Sequence, residues 1–173
     1  EIYGDIFNNS DLPENVRGAA LSGKIRIAGV SGRAIIWNIL QGKEKSLFLY
    51  AIKMIPECCD DDSIQPYCTL LPNLSEPFNV HLITVLAGFR SPAVLAAVTS
   101  SLMSENRSVR MAALHALEKV GDSSSVRLLS RYAAEASGEE KEAARTSLWN
   151  LSGEDIDKAV MDELNDNTSS EIQ

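Results

Sequence analysis

The feature that most constrains the fold is a phrase of six residues that recurs along the chain. Residues 109–114 read VRMAAL and lead to Gly121, and residues 16–21 read VRGAAL and lead to Gly29. Related segments lie between and after them at a spacing of roughly thirty residues. Self-similarity at this period is typical of solenoids, in which each repeat buries its apolar face only against its neighbours.

Five pairs of helical segments follow from this alignment. The first helices are predicted to begin near Val16, Leu47, Val80, Val109 and Ala143, and the second helices near Gly32, Ile64, Ala93, Ser125 and Ile156. Neither end of the chain shows a clear helical period. The sequence therefore predicts an all-α solenoid of about five helix pairs over residues 15–165, with an N-terminal extension or partial repeat at residues 1–14 and a frayed tail at residues 166–173.

The fourth pair has the most explicit pattern. Its apolar residues recur with the spacing of one helix face: Val109, Ala112, Ala113, Ala116, Leu117 and Val120. We expect Leu117 to be buried between helix layers, whereas Glu118 points about 100° away from it. Gly121 is predicted to be a left-handed C-terminal cap, and Asp122 is predicted to cap the next helix.

The second pair is irregular because prolines interrupt it. Pro56, Pro66 and Pro72 each remove a backbone donor and disfavour helix at the preceding residue. The longest non-helical connection of the chain is therefore predicted between Pro56 and Pro77.

Composition excludes several classes of function. The net charge is −8, and the sequence has no basic stripe that could displace counterions from a nucleic acid. It also has no apolar run close to the roughly 20 residues of a membrane span. No nucleophile, base and orienting acid form a recognisable motif. We therefore expect no nucleic-acid partner, no membrane span, no cofactor, no metal and no enzymatic activity.

The three cysteines, Cys58, Cys59 and Cys68, all lie in the irregular second pair. Without a nearby histidine they lack the spacing of a metal site. In an oxidising compartment Cys68 could form a disulfide with Cys58 or Cys59. That bond would close a loop of about ten residues and stabilise the fold by roughly 2–3 kcal/mol. The alternative is three reduced thiols, at least one of them buried.

Two further groups of polar residues resemble sites only superficially. The acidic run at residues 60–62 lacks the alternation and the glycine of a calcium loop, so we interpret it as a solvated turn. His81 and His115 lie on first helices of different repeats, and we expect them on helix surfaces or at interfaces.

The tryptophans and the repeated arginines are predicted to be structural. Trp37 and Trp149 lie among apolar neighbours, so we expect them in the core or at repeat interfaces rather than as a platform for sugar stacking. Arg17 and Arg110 belong to the repeated phrase itself. We expect them to bond to loop carbonyls or to acids of the neighbouring repeat.

The repeated phrase, with Val-Arg, paired alanines, Leu and a closing Gly-Asp, resembles the HEAT-like repeat in the short form also found in phycobilisome lyase-type proteins. The resemblance implies stacked antiparallel helix pairs with a curved, right-handed course, whose second helices line the concave face. Residues 138–145 (GEEKEAAR), 151–153 (LSG) and 156–160 (IDKAV) are similar to HEAT segments of large bacterial proteins. Those segments often lie beside a sugar-active domain of the 3-keto-disaccharide hydrolase-like (DUF1080) type.

These resemblances imply a non-catalytic protein-interaction or spacer module within a larger exported protein. The expected location is periplasmic or extracellular, and the alternative is cytoplasmic. Its partner would be another protein or a neighbouring domain of the same polypeptide. The alternative is a regulatory or substrate-positioning arm of a carbohydrate-active enzyme. A third hypothesis is an enzyme on this scaffold, a base-excision glycosylase or a bilin lyase. The acidic charge disfavours the glycosylase, and no catalytic constellation supports either enzyme.

Overall fold

The computed structural model describes the backbone of residues 2–170 and the side chains of residues 2–165. Over this part of the chain the secondary structure is helical and contains no strand, so the predicted all-α class is confirmed. The α-helices are α1 (Ile2–Asn8), α2 (Glu14–Ala28), α3 (Gly32–Gln41), α4 (Phe48–Lys53), α5 (Ile55–Cys58), α6 (Gln65–Cys68), α7 (Phe78–Leu86), α8 (Pro92–Ser101), α9 (Arg107–Val120), α10 (Ser123–Glu135), α11 (Gly138–Asn150) and α12 (Glu154–Ser170). Short 3₁₀ helices span Gly29–Ser31, Lys45–Leu47 and Leu71–Asn73.

The chain forms two compact units that divide between Ala93 and Val94. In the first unit, α2 packs against α4 and α4 packs against α7, so first helices contact first helices. The second helix α3 contacts α4 and the single turn α5 of the next repeat, and α1 packs against α2. This packing in series is the pattern that repeat proteins use to build a continuous core.

The second unit has the same arrangement. The first helix α9 packs against the first helix α11, and the second helix α10 packs against the second helix α12. The chain passes from one repeat to the next through the contact between α10 and α11. Leu114, Leu117 and Leu129 are completely buried in this unit.

The helix starts agree closely with the sequence pattern in both units. The largest difference is at α11, which begins at Gly138 rather than near Ala143. Its first turn carries Glu139 and Glu140, which satisfy the partial positive charge of a helix N-terminus but give no apolar signal. A pattern of apolar residues therefore predicts the start of this helix about one turn too far along the chain.

The irregular second pair is also confirmed. Its helices α5 and α6 are single turns that carry Pro56 and Pro66 near their first positions, where a missing amide donor costs little. Between them, residues 59–64 form the longest connection without any helix in the described backbone.

Of the two helix caps predicted in the fourth pair, one is confirmed and one is wrong. Asp122 caps α10 by accepting a hydrogen bond from the Ser124 amide, and Ser125 completes a capping box. Gly121, however, is extended (φ −63°, ψ 150°) rather than left-handed. A Cβ there would lie 2.5 Å from the Leu117 carbonyl oxygen and 2.8 Å from Leu151 Cδ2. Close packing, and not backbone freedom, therefore explains the glycine.

The predicted domain limits remain predictions. Residues 1–14 include α1, and the predicted frayed tail overlaps α12, which continues to Ser170. Glu1 and residues 171–173 lie outside the described residues. No helix within residues 2–170 is both long and apolar enough to cross a membrane.

Candidate interaction surfaces

The arginine of the repeated phrase connects one repeat to the next. The Arg110 guanidinium in α9 donates to the carbonyl oxygens of Ser104 (2.8 Å) and Glu105 (2.9 Å) in the preceding loop. It also donates to both carboxylate oxygens of Glu140 in α11, at 3.1 and 2.6 Å. Hydrogen bonds from Arg110 and from the Tyr132 hydroxyl lower the pKa of Glu140.

Arg17 makes the equivalent contacts in the first unit. Its Nε donates to the Phe7 carbonyl oxygen at 3.0 Å, and its two terminal nitrogens bind the Glu44 carboxylate in the next repeat. The hydrogen bond from Arg17 lowers the pKa of Glu44. The prediction that both arginines bond to loop carbonyls or to acids of the neighbouring repeat is therefore confirmed, and each of them bonds to a backbone carbonyl and to an acid.

Two further hydrogen bonds fix the register between α9 and α11. The buried Ser147 hydroxyl donates to the Leu114 carbonyl oxygen at 2.7 Å, and the Asn150 amide donates to Glu118 Oε1 at 2.8 Å. The phrase at residues 16–21 repeats at 109–114, and the starts of α9 and α11 lie 31 residues apart. Position 107 therefore corresponds to position 138 in α11.

Trp149 lies on what we call the outward face of α11, formed by Lys141, Glu142, Arg145 and Trp149. One repeat earlier, Arg110, Leu114 and Glu118 occupy three of these positions and contact α11 through the bonds just described. On α11, Trp149 is 88% exposed. The Arg145 side chain is 58% exposed and pairs with Glu142 at 3.2 Å.

The prediction of a buried Trp149 is wrong. The residue lies near apolar neighbours in sequence, but it occupies the position of Glu118, which points toward the following first helix and not toward the core. Trp37 behaves as predicted: it is half-buried and packs edge-on against Tyr67, with 6.0 Å between ring centroids.

A second surface is an open groove between the second helices α10 and α12, with a volume of about 530 Å³. Two exposed arginines of α10, Arg127 and Arg131, line it together with Leu128 and Glu163. Arg127 lies 4.0 Å from Glu163, and Arg131 lies 3.9 Å from Glu135. The groove thus presents two cationic side chains on a strongly acidic protein, which the sequence pattern did not reveal.

The cysteines are free thiols, with Cys58 and Cys68 buried and Cys59 half-buried. Burial raises the pKa of all three, that of Cys68 to about 11. At neutral pH they are protonated and react slowly, because the thiolate is the nucleophile. The disulfide from Cys68 to Cys58 or Cys59 stays a prediction.

The remaining polar residues have structural partners or lie on the surface. The Asp60 carboxylate accepts a hydrogen bond from the Ser63 amide at 3.0 Å, and the Asp61 carboxylate accepts one from the Arg90 amide at 2.7 Å. Within the described part of the chain, no three His, Cys, Asp or Glu side chains are grouped so that they could hold a metal ion. His81 and His115 are both exposed on their helices, as one of the two predicted locations required.

A comparison with protein families supports the repeat assignment. Residues 69–149 match HEAT repeats. The match covers 81 of the 173 residues and includes the fourth pair, where the repeated phrase is clearest. Together with the serial packing of helices, the match supports the assignment of a HEAT-like repeat fold. A search among curated proteins gave no match.

Proposed function

We propose that this HEAT-like chain is a non-catalytic protein-interaction or spacer module of a larger exported bacterial protein, and that it contacts its partner through the outward face of α11. The partner is another protein or a neighbouring domain of the same polypeptide. HEAT repeats commonly mediate protein interactions, which supports the general assignment.

The single observation that carries the proposal is the exposure of Trp149 on a helix face that contacts a neighbour one repeat earlier. A buried aromatic side chain of this size removes roughly 150–250 Å² from water. Trp and Arg are enriched among residues that dominate binding energy. Arg145 lies one helical turn before Trp149, so both contact the same partner surface.

The other residues of this face are charged, so the face can also be exposed to water when no partner is bound. Glu142 and Arg145 are exposed and paired, so a single aromatic side chain is surrounded by charged groups. An apolar anchor within a polar rim is the usual anatomy of an interface between separately folded partners.

Site-specific photo-cross-linking in the bacterium that produces the complete protein tests this proposal. The variant carries Trp149→p-benzoylphenylalanine, and the matched control carries the same photoreactive residue at Glu135, a position on α10 that is 74% exposed. We expect a discrete adduct from position 149 and none from position 135. An adduct within the same polypeptide identifies a neighbouring domain. No adduct from position 149, or equal yields from both positions, contradicts the proposal.

The exported context needs a separate test. The complete reading frame is expected to encode a signal peptide and at least one further domain. Thiols counted in denatured, unreduced material from the native compartment are expected to show fewer than three. Three free thiols together with no signal peptide would contradict export.

A second candidate, an arm of a carbohydrate-active enzyme, is also favoured by Trp149, because sugar rings stack on exposed indoles. In a Trp37→Phe variant, Trp149 is the only tryptophan. A saturable change in its fluorescence with hexameric oligosaccharides of glucose or xylose would support this arm. No change at millimolar concentrations of either sugar would leave the protein interface as the explanation of the exposed indole.

A further inference from the structure

The first unit carries an open groove between α1 and the first helix α2. In the repeat, this groove lies on the side of the first helix that is opposite to the outward face defined on α11. Its volume is about 720 Å³, and its lining includes Tyr3, Ile6, Val16, Ala19 and Gly23. Val16 is 40% exposed and Tyr3 is 43% exposed. The groove is thus an apolar surface that water reaches.

The repeat register identifies this groove as a stacking face. Because α2 precedes α9 by 93 residues and α9 precedes α11 by 31, Ala19, Ala20 and Gly23 correspond to three residues of α11: Ala143, Ala144 and Ser147. In α11 these three residues are buried, and Ser147 bonds to the Leu114 carbonyl of α9. The equivalent face of α11 therefore receives the first helix of the preceding repeat.

The contacts of Arg17 show which helix already lies beside α2. Arg17 bonds to the Phe7 carbonyl at the end of α1, as Arg110 bonds to the Ser104 carbonyl just after α8. Helix α1 therefore corresponds to α8, a second helix. The contact between α1 and α2 is equivalent to the one between α10 and α11, which joins consecutive repeats.

The side chains also indicate what the occupant looks like. In α11, Glu139 and Glu140 bind Arg107 and Arg110 of the preceding first helix. The corresponding positions in α2 are Asn15 and Val16, which carry no charge. A helix on this face needs no arginine at its start. An acid near its end would lie beside Arg26, which corresponds to Asn150 and already pairs with Glu57 at 3.0 Å.

From this register we propose that the groove between α1 and α2 binds the first helix of a preceding HEAT-like repeat, supplied by the same polypeptide on the N-terminal side of α1. The helix continues the interface that α2 and α4 form in this unit and that α9 and α11 form in the other. The proposal does not depend on the outward face of α11, so the two can fail separately.

A fusion tests the proposal with a helix of known behaviour. A copy of residues 107–121, which form α9 and its cap, is joined to the N-terminus of the full chain through a flexible linker. In this copy Arg107→Ala and Arg110→Ala remove the two arginines that lack acidic partners on α2. The Glu118 side chain is retained, so that the copied helix keeps its native residue beside Arg26, which also pairs with Glu57.

We expect the fused helix to raise the thermal unfolding midpoint by at least about 4 °C and to protect the amides of α2 from hydrogen exchange. The matched control is Ala19→Arg, at an exposed position of α2 where arginine is a good helix former. This change should leave the unfused chain as stable as before and abolish the gain from the fusion. A second control, Leu114→Asp in the fused copy, should also abolish it.

Three results would overturn the proposal. In the first, the fused helix does not raise the unfolding midpoint. In the second, the rise in the unfolding midpoint persists in Ala19→Arg, which means that the fused helix binds elsewhere. Alternatively, the unfused chain dimerises in analytical ultracentrifugation and Ala19→Arg makes it monomeric, which would assign the groove to a second copy.

Discussion

Replacing Arg110 by alanine removes one of the side chains that join the fourth repeat to the fifth. The guanidinium makes two charge-assisted hydrogen bonds to Glu140 and two bonds to loop carbonyls. Hydrogen bonds to charged groups contribute roughly 1.5–3 kcal/mol each when fully buried. The Arg110 and Glu140 side chains are 23% and 14% exposed, so solvent screening reduces that contribution. We therefore expect Arg110→Ala to lower the free energy of unfolding by about 2 kcal/mol.

The assay is urea denaturation followed by circular dichroism, with Arg107→Ala as the matched control. Arg107 lies on the same helix as Arg110 and pairs with Glu139 of α11, but the two side chains are 58% and 77% exposed. Its nitrogen Nε is also 3.6 Å from Glu140, a longer contact than those of Arg110. Exposed pairs contribute little, so we expect a loss of about 0.5 kcal/mol or less. Arg110→Lys should recover less than half of the loss, because an ammonium cannot reproduce the bidentate geometry. Equal losses in Arg107→Ala and Arg110→Ala would refute the reasoning.

The pH dependence provides an independent check on the same pair. Arg110 lowers the pKa of Glu140 in the folded protein. The stability from this pair is therefore fully present above the ordinary glutamate pKa of about 4.3, and it is lost as the pH falls through the lowered folded value. The difference in unfolding free energy between wild type and Arg110→Ala should be constant near pH 6–7 and shrink below about pH 4. A difference that stays constant down to pH 3 would contradict the ion pair.

Three other expectations follow from the same structure. Leu117→Ala should lower the free energy of unfolding by roughly 2–5 kcal/mol in denaturant melts, because the side chain is completely buried. The control is Lys119→Ala, at an exposed position, rather than a change at Glu118, because Glu118 accepts a hydrogen bond from Asn150. Equal effects of the two changes would mean that the helix phase is wrong. A thiol reagent should modify native, reduced protein first at Cys59, with the buried Cys58 and Cys68 reacting only on unfolding, and rapid reaction of all three would contradict the packing. A duplex DNA oligonucleotide should not bind at physiological salt, because the net charge is −8, and a dissociation constant tighter than about 1 μM would oppose the assigned partner class.

The sequence predicted the fold well where packing repeats in a regular way. The positions of Leu117 and Arg110 follow from a helical period and from a copied phrase, and both are local signals. The start of α11 was missed by one turn because its first turn is charged. Gly121 was assigned the wrong conformation because a close approach to Leu117 and Leu151 cannot be read from one helix.

The candidate surfaces were harder to predict, because exposure depends on which helix follows. Trp149 has apolar neighbours, and only the alignment with Glu118 shows that it faces outward. Arg127 and Arg131 are separated by one helical turn, but Glu163, which lines the same groove, lies on another helix. Such a juxtaposition comes from stacking between repeats, which a single helix pattern does not contain.

The central claim is that repeats of 31 residues stack in register, and a deletion within the second unit tests it most directly. Removing residues 115–145 joins Leu114 to Thr146, so that Ser147 and Leu148 take the places of Ala116 and Leu117 in one hybrid helix. Removing residues 115–143 deletes two residues fewer. Those two residues rotate the second half of the hybrid helix by about 200° relative to the 31-residue deletion. We expect the 31-residue deletion to remain helical with a cooperative unfolding transition, and the 29-residue deletion to lose cooperativity. If the two deletions unfold alike, the repeat register proposed for this protein is wrong.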